Sequence, residues 1–265
     1  MVHWLFGSLG FSIRSTRHLE KIESLVERTS ELTKLARVVE FLGNGSRTRQ
    51  LTLGEVFGIV KKSKSQLGQD ILALSLTEPE QKGFFVEFGA TNGIDLSNTW
   101  LLEKDYGWSG ILCEPARNWQ ERLRLERQAS LDFRCVYSAT GERVSFTEVS
   151  SGELSTISDF AGQDGHGQFR QQVSNRYTVE TVSLFDLLRD HGAPKFIDFL
   201  SIDTEGSEYE ILRAFDFDSY SFGLIAVEHN YTKNQSLISQ LLTSKGYRQI
   251  FPELSEFDDW YIGSH

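Results

Sequence analysis

The sequence predicts an α/β domain built on a mostly parallel β-sheet with helices on both faces. Two observations support this fold class: apolar runs typical of buried strands, and helix-compatible segments that alternate with them. The predicted strands are 84–88, 110–114, 131–137, 197–203, 223–228, 247–251 and 259–262. The predicted helices are 65–76, 97–105, 117–128, 183–190, 207–215 and 235–245. Alternation of this kind places consecutive parallel strands side by side, with each connecting helix packed on the sheet.

Composition excludes several classes of protein. The chain has 265 residues, of which 39% are hydrophobic, so one substantial core with an appendage is expected. The net charge of −10 argues against a nucleic-acid partner, because that binding depends on neutralising phosphates. The two cysteines, Cys113 and Cys135, fall in apolar runs and are expected to be buried free thiols. No apolar run is long enough to cross a bilayer, and the cytoplasm is the expected location.

Residues 1–62 are predicted to form a helical arm that precedes a domain spanning 63–265. Between residues 16 and 42 apolar side chains recur at helical spacing, and Leu25, Leu32 and Val39 lie seven apart. Three interpretations of this arm stay open: a helix packed on its own domain, a homodimerisation arm, and a weak peripheral membrane contact. The last rests on aromatic residues near the start that precede several basic ones.

The end of the first predicted strand is the most informative point in the chain. The strand ends in Glu87 and Phe88 and breaks at Gly89 and Gly93, and a predicted helix follows. Such a turn places backbone N–H groups at the carboxyl edge of the sheet, where ligands bind. Glu114 ends the second strand, where a carboxylate can accept both hydroxyls of a ribose. The pattern E-x-G-x-x-x-G disfavours a pyrophosphate and suits S-adenosylmethionine, whose amino-acid end is cationic.

Several separated motifs resemble the FkbM-type methyltransferase family. They are S-Q-L-G-Q-D at 65–70, V-E-F-G-A-T-N-G at 86–93, L-E-K at 102–104, G-W-S-G at 107–110, C-E-P at 113–115 and F-L-S-I-D-T-E-G-S-E at 199–208. The resemblance covers roughly residues 63–263, and it implies the seven-stranded, Rossmann-like sheet of class I methyltransferases, including its seventh strand. It also implies that Gln66, Gln69 and Asp70 close over the methionine end of the cofactor.

The predicted cofactor site combines these motifs with the end of the third strand. Its residues are Gln66, Gln69, Asp70, Glu87, Gly89, Ala90, Asn92, Gly93, Ser97, Glu114, Tyr137 and Ser138. Tyr137 and Ser138 are expected near the adenine, because they end the third predicted strand.

Acidic residues at the ends of the fourth and fifth strands predict the catalytic centre. Asp203 is expected to orient or deprotonate the acceptor hydroxyl, with His229 or His166 as a second candidate base. Glu205 and Glu228 are expected to bind the substrate. If a divalent metal such as Mg²⁺ takes part, Asp203, Glu205 and Glu228 are its candidate ligands.

One polar, glycine-containing segment interrupts the alternation. Residues 150–178 show no clear period and include His166. A loop of this length within a compact domain is usually either functional or disordered. Its position after the third predicted strand favours a lid over the substrate, and disorder without a function is the alternative.

The sequence therefore predicts an S-adenosylmethionine-dependent O-methyltransferase that acts on a hydroxyl of a saccharide or surface glycan. Two alternatives stay open: methylation of a small-molecule natural product, and a non-catalytic adenosyl-binding module that works through its arm.

Overall fold

The computed structural model describes residues 29, 31–41, 53–78, 81–149, 154–162 and 174–263. Outside these ranges lie residues 1–28, 30 and 42–52 of the predicted arm. Much of the predicted lid, including His166, also lies outside them. The helices are α1 (residues 31–41), α2 (Leu53–Lys62), α3 (Gln69–Leu76), α4 (Trp100–Tyr106), α5 (Arg117–Glu126), α6 (Leu184–Asp190), α7 (Glu208–Ala214) and α8 (Asn234–Ser244).

The strands form two sheets. They are β1 (Phe84–Phe88), β2 (Ser109–Cys113), β3 (Ser130–Asp132), β4 (Cys135–Tyr137), β5 (Arg143–Val149), β6 (Thr156–Ile157), β7 (Ser174–Ser183), β8 (Phe196–Ile202), β9 (Ser221–Glu228), β10 (Tyr247–Ile250) and β11 (Asp258–Gly263). The main sheet has seven strands in the order β10-β11-β9-β8-β1-β2-β3. Strands β3, β2, β1, β8 and β9 are parallel, and β11 inserts antiparallel between β9 and β10. This arrangement is the seven-stranded sheet expected from the sequence.

Alternating strand residues divide the core into two layers. In β1, Val86 and Phe88 belong to a cluster with residues of α6, α7 and α8. Phe85, between them, points to the other face, into a cluster with residues of α1 to α5. Because side chains of a strand alternate between the faces, one apolar run buries both faces of the central strand. Helices therefore cover the sheet on both sides, which confirms the fold class.

The predicted third strand is two strands in two different sheets. β3 pairs with β2 at the edge of the main sheet, whereas β4 pairs with β7 in the second sheet. Between them the Asp132 carboxylate accepts hydrogen bonds from the backbone N–H and the guanidinium of Arg134. This local side-chain-to-backbone bond turns the chain and ends the ladder, which hydrophobicity alone does not reveal.

The second sheet lies over α5 and the loop that follows β8. Its order is β4-β7-β5-β6, and β5 pairs antiparallel with both β6 and β7. The side chain of Thr156 in β6 donates a hydrogen bond to the carbonyl of Glu205 at 2.9 Å. The described parts of the predicted lid therefore belong to a folded sheet that is attached to the loop after β8.

The described part of the arm packs on the main domain. Val38 and Phe41 of α1 are buried in the α1–α5 cluster, and the Phe41 ring meets the edge of Trp260 at 5.5 Å. The guanidinium of Arg37 donates to the carbonyl of Leu254 at 3.1 Å. These contacts correspond to the interpretation of a helix packed on its own domain. Homodimerisation through the arm stays a prediction.

Among residues 29, 31–41, 53–78, 81–149, 154–162 and 174–263, no helix has the length and apolar character needed to cross a bilayer.

We expect Gly110→Ala to destabilise the fold strongly. Gly110 pairs with Phe85 across β1 and β2, and a Cβ at Gly110 would lie 2.3 Å from the Phe85 carbonyl oxygen. Relief requires movement of backbone in the centre of the sheet, so the free energy of unfolding should fall by about 3 kcal/mol or more. Urea denaturation measures this loss.

Gly58→Ala in the exposed face of α2 is the matched control. A Cβ at Gly58 meets nothing within 4 Å, so the same change should stabilise the helix by about 0.5–1 kcal/mol. Equal effects of the two substitutions would contradict the packing explanation.

Candidate active site

Four neighbouring strands of the main sheet end beside one another at its carboxyl edge. Gly89 directly follows β1, Glu114 follows β2, Asp203 follows β8, and Glu228 is the last residue of β9. A cleft outside the carboxyl ends of parallel strands is where open α/β sheets bind ligands. The structure therefore brings together the strand-end residues that the sequence singled out.

A narrow cleft of about 70 Å³ lies at this edge, and we call it the inner cavity. The ends of β1, β2 and β8 form its floor, and Phe146 and Ser155 of the second sheet contribute another wall. Of the predicted cofactor residues, four reach this cavity: Gln66, Glu87, Gly89 and Glu114. The two free cysteines, Cys113 and Cys135, also line it and are buried.

Gly89 allows β1 and β8 to approach each other closely at the floor of the inner cavity. Its φ is +73°, and a Cβ would lie 2.2 Å from the carbonyl oxygen of Asp203. Its N–H donates to the carbonyl of Cys113 in β2 at 3.1 Å. Both the conformation and the space therefore require glycine, and the immediate reason is the contact with β8.

The loop after β1 donates several hydrogen bonds to the buried carboxylate of Glu87. One oxygen accepts the N–H of Asn98 at 2.6 Å, and the other accepts the hydroxyl of Ser97 at 3.0 Å and that of Thr99. Asn98 also donates to the hydroxyl of Ser201 in β8 at 2.9 Å. Glu87 lines the inner cavity and its position is fixed by these bonds.

The remaining residues of the glycine turn hold the turn itself. The Asn92 side chain accepts the N–H groups of Ile94 and Asp95, both at 2.9 Å, and it donates to the Asp95 carboxylate. A Cβ at Gly93 would lie 2.6 Å from Leu123 in α5. We expected Ala90, Asn92, Gly93 and Ser97 to bind the cofactor. In the structure these four residues are buried and are not among those that line the inner cavity, and their role in cofactor binding stays a prediction.

Glu114 is a buried carboxylate that faces the inner cavity. Its two oxygens accept the N–H groups of Thr91 and Ala116, each at 2.8 Å. Burial raises the pKa of Glu114 to about 7, and the two N–H groups oppose this rise. The carboxylate thus closes the loop after β1 against β2 and still lines the cavity.

Three carboxylates meet where β8 and β9 end. The ligand oxygens of Asp203, Glu205 and Glu228 lie within 4.8 Å of one another. Asp203 and Glu228 share a hydrogen bond, and desolvation raises the pKa of Asp203 to about 7 and that of Glu228 well above its ordinary value. One oxygen of Glu228 is buried and has no hydrogen-bond partner among the described residues.

A larger space of about 520 Å³, the outer cavity, lies beyond these carboxylates. Its walls are the loop after β8, the loop after β9 and Phe160 in the turn after β6. Asp203 lines the inner cavity, Glu228 lines the outer cavity, and Glu205 lines both. The carboxylate cluster therefore stands at the partition between the two spaces.

His229 lines the outer cavity, but both of its ring nitrogens are bonded within the protein. Nδ1 accepts the N–H of Tyr231 at 3.0 Å, so the proton of the neutral ring is on Nε2, which lies 3.1 Å from the Asp258 carbonyl oxygen. In this arrangement His229 fixes the loop after β9, and its catalytic role stays a prediction.

Only the first residue of the predicted Gln66, Gln69 and Asp70 set reaches the inner cavity. Gln69 donates to the Asp258 carboxylate at 2.7 Å, and one oxygen of Asp70 accepts the hydroxyls of Ser63 and Ser65. These bonds stabilise the turn before α3. Gln69 and Asp70 therefore help to fix the position of Gln66 without lining the inner cavity themselves.

At the end of the third predicted strand, the residues that line the inner cavity lie two positions earlier than expected. Cys135 and Val136 of β4 line the inner cavity, whereas Tyr137 and Ser138 lie beyond its lining and the Tyr137 ring packs against Phe160. The break after β3 sets this shift because it starts a new strand with a new alternation. Sequence reasoning also missed lining residues that the second sheet contributes, which no local pattern indicates.

The sheet order and the acidic site at its carboxyl edge define a class I methyltransferase. The family model of the methyltransferase FkbM domain matches residues 87–249. The chain belongs to this family, and a methyltransferase of this class uses S-adenosylmethionine as its methyl donor.

Solved structures similar to this chain include a methyltransferase and a chain of a fibrillarin complex. Precorrin-6y C5,15-methyltransferase from Geobacter metallireducens GS-15 is 13% identical, with a TM-score of 0.42 over 77% of this chain and 92% of that chain. A fibrillarin/Nop5p complex chain is 10% identical, with a TM-score of 0.35 over 74% of this chain and 79% of that chain. No curated protein sequence matches the chain significantly.

The raised pKa of Glu114 predicts how stability depends on pH. The carboxyl pKa is about 7 in the folded chain and about 4.5 in the unfolded chain, so the folded state holds the proton more tightly. The free energy of unfolding should therefore fall as pH rises through this window. Glu114→Gln lacks this titration, so the wild type should lose roughly 3 kcal/mol relative to the variant between pH 4.5 and 8.

Urea denaturation at several pH values between 4.5 and 8 measures this difference. Glu121→Gln on the exposed face of α5 controls for the chemical change alone. If the wild-type and Glu114→Gln profiles run parallel, Glu114 does not carry the proton that its burial implies.

Proposed function

We propose that this chain is an O-methyltransferase that moves a methyl group from S-adenosylmethionine to a hydroxyl of a saccharide or surface glycan. The observation that carries the proposal is the carboxylate cluster at the partition between two cavities. A transfer reaction needs one site for each partner and a shared wall where the reacting atoms meet. Asp203, Glu205 and Glu228 occupy that wall.

The inner cavity suits the cofactor. Glu87 and Glu114 stand at the ends of β1 and β2, and a carboxylate at the end of β2 is placed to accept ribose hydroxyls. Charge supports this assignment, because the cofactor carries a positive sulfonium and a positive amino group. Since the cavity is narrow, we expect side chains of its walls to move when the cofactor enters.

Asp203 is the candidate catalytic residue. In the reaction the acceptor oxygen forms a bond to the methyl carbon while the carbon–sulfur bond breaks and its electrons stay on sulfur. The hydroxyl proton has to leave the acceptor oxygen, and the Asp203 carboxylate lines the cavity beside the partition, where it can take that proton. Glu205 and Glu228 are placed to orient the acceptor from the outer side.

The same three side chains form a donor set that fits a divalent cation. Carboxylate oxygens are the ligands that Mg²⁺ prefers, and the unpartnered oxygen of Glu228 is available for one bond within the described structure. When bound, such an ion lowers the pKa of a hydroxyl that it touches. Asp203, Glu205 and Glu228 would hold it.

We expect Asp203→Asn to retain cofactor affinity and lose turnover. The amide has nearly the same shape but cannot accept the hydroxyl proton, so the rate should fall by roughly two to four orders of magnitude. Asp198→Asn is the matched control, because Asp198 lies in the same strand and bonds the Phe84 N–H at the opposite end. Calorimetry measures cofactor binding, and release of S-adenosylhomocysteine measures turnover.

Full activity of Asp203→Asn would move the proton acceptor elsewhere. Cofactor binding without any production of S-adenosylhomocysteine across glycan and natural-product acceptors would favour a non-catalytic binding module. Turnover with natural-product acceptors alone would identify a small-molecule natural product, rather than a saccharide, as the class of substrate.

A metal ion at the partition predicts a stabilisation that does not depend on activity. Adding Mg²⁺ to chelator-treated protein should raise the thermal unfolding temperature of the wild type, because binding to the folded state alone stabilises it. Glu228→Gln should abolish the rise. The same treatment should remove activity and Mg²⁺ should restore it. An unchanged unfolding temperature, together with full activity in chelator, would leave Asp203 acting without a metal.

A further inference from the structure

The outer cavity has the position of an acceptor site. It borders the inner cavity through Glu205, and the loops after β8 and β9 form its walls. Thr156 of the second sheet fixes the first of these loops by its bond to the Glu205 carbonyl. With about 520 Å³, the space is of the size that small-molecule ligands occupy in proteins.

A strained elbow presents Tyr231 at the mouth of this cavity. The φ angles of Asn230 and Tyr231 are +44° and +55°, a region that residues other than glycine rarely adopt. The elbow is held by the N–H of Tyr231 on Nδ1 of His229 and by the N–H of Asn230 on the Phe257 carbonyl. A turn alone would be less strained with glycine at these positions. Strain of this kind collects at ligand-binding positions.

The ring of Tyr231 is exposed and contacts His229. The residue is 73% accessible, and its ring meets the His229 ring edge-on at 5.5 Å. The face of a phenol ring is electron-rich and attracts the C–H groups on the apolar face of a pyranose. An aromatic ring at the mouth of a polar cavity is therefore a platform for a sugar ring.

The charges around the outer cavity select against anionic ligands. Glu205 and Glu228 present carboxyl groups to it, and Lys233 is the one basic side chain among the described residues of its walls. Lys233 is exposed at the start of α8. Carboxylates repel a phosphate or a uronate, whereas they accept hydrogen bonds from hydroxyls.

Resting on the proposed methyl transfer, we propose that the outer cavity binds an uncharged saccharide ring, with Tyr231 stacked on its apolar face and with Glu205 and Glu228 accepting its hydroxyls. Tyr231 is thereby a specificity-determining residue of the acceptor site. It reaches the substrate without taking part in the chemistry.

Saturation-transfer NMR on the full chain tests this assignment, with methyl α-mannopyranoside, methyl α-rhamnopyranoside and methyl α-galactopyranoside as neutral probes. Methyl glucuronoside and mannose 6-phosphate are the anionic probes. We expect at least one neutral glycoside to bind and both anions to bind more weakly. Tyr231→Ala should weaken the neutral glycoside by about tenfold, because one stacked aromatic ring contributes about that factor.

Tyr231→Phe keeps the ring and should bind the glycoside within about threefold of the wild type. Affinity for S-adenosylhomocysteine and the unfolding temperature should be equal in the wild type and both variants, since Tyr231 is exposed and outside the inner cavity. An unchanged glycoside signal in Tyr231→Ala overturns the platform. Tighter binding of an anionic probe overturns the uncharged class.

The two levels of the proposal fail separately. Binding of S-adenosylhomocysteine without contact to any glycoside would overturn the saccharide site and leave the methyltransferase assignment intact. Failure to bind S-adenosylhomocysteine would count against the proposed function, and the glycoside signal is measured independently in the cofactor-free protein.

Discussion

One buried guanidinium holds the loop on which the active site is built. The side chain of Arg127 is inaccessible to solvent, and it donates to the carbonyl of Gly93 at 3.0 Å and to the hydroxyls of Ser97 and Thr99 at 3.1 Å and 2.9 Å. The Glu103 carboxylate of α4 pairs with this cation at 2.9 Å, and the loop after β1 supplies the other acceptors that a buried guanidinium needs. The same two hydroxyls donate to Glu87. The loop after β1 and the end of that strand are therefore held by a side chain that follows α5.

At the carboxyl edge of the main sheet, several buried carboxyl groups lie close together. Burial raises the pKa of Glu114, Asp203 and Glu228. Glu114 accepts two backbone N–H groups, whereas Asp203 and Glu228 face each other and further carboxyl groups, whose repulsion adds to the rise. Raised pKa values from desolvation mark groups whose position is unfavourable for stability alone, and such groups collect at functional sites. A cationic cofactor, a donated proton or a divalent ion each relieves this repulsion. The buried carboxyl groups at this edge are thus more favourable in the protein with its ligands bound than in the ligand-free protein.

Sequence patterns could predict the strand-end residues, because burial period and chain order determine them. Glu114 and Asp203 follow apolar runs of a mostly parallel sheet, so their meeting at one edge follows from topology. The roles within the turn could not be predicted. Whether Asn92 bonds a ligand or its own loop depends on side-chain geometry, and the sequence pattern is the same for both. Phe146 and Ser155 reach the inner cavity through the second sheet, whose pairing is non-local.

The two faces of helix α1 have different surroundings. On its inner face, Lys34 lies against the turn before α3, where a Cβ at Gly68 would be 3.6 Å from the Lys34 side chain. Burial lowers the pKa of the Lys34 ammonium. This face therefore supports the turn that brings Gln66 to the inner cavity. On the outer face, Leu32 and Val39 are 64% and 52% exposed, and these two belong to the heptad pattern. These two heptad positions therefore face solvent in the described structure, and pairing of this face with a second chain stays a prediction.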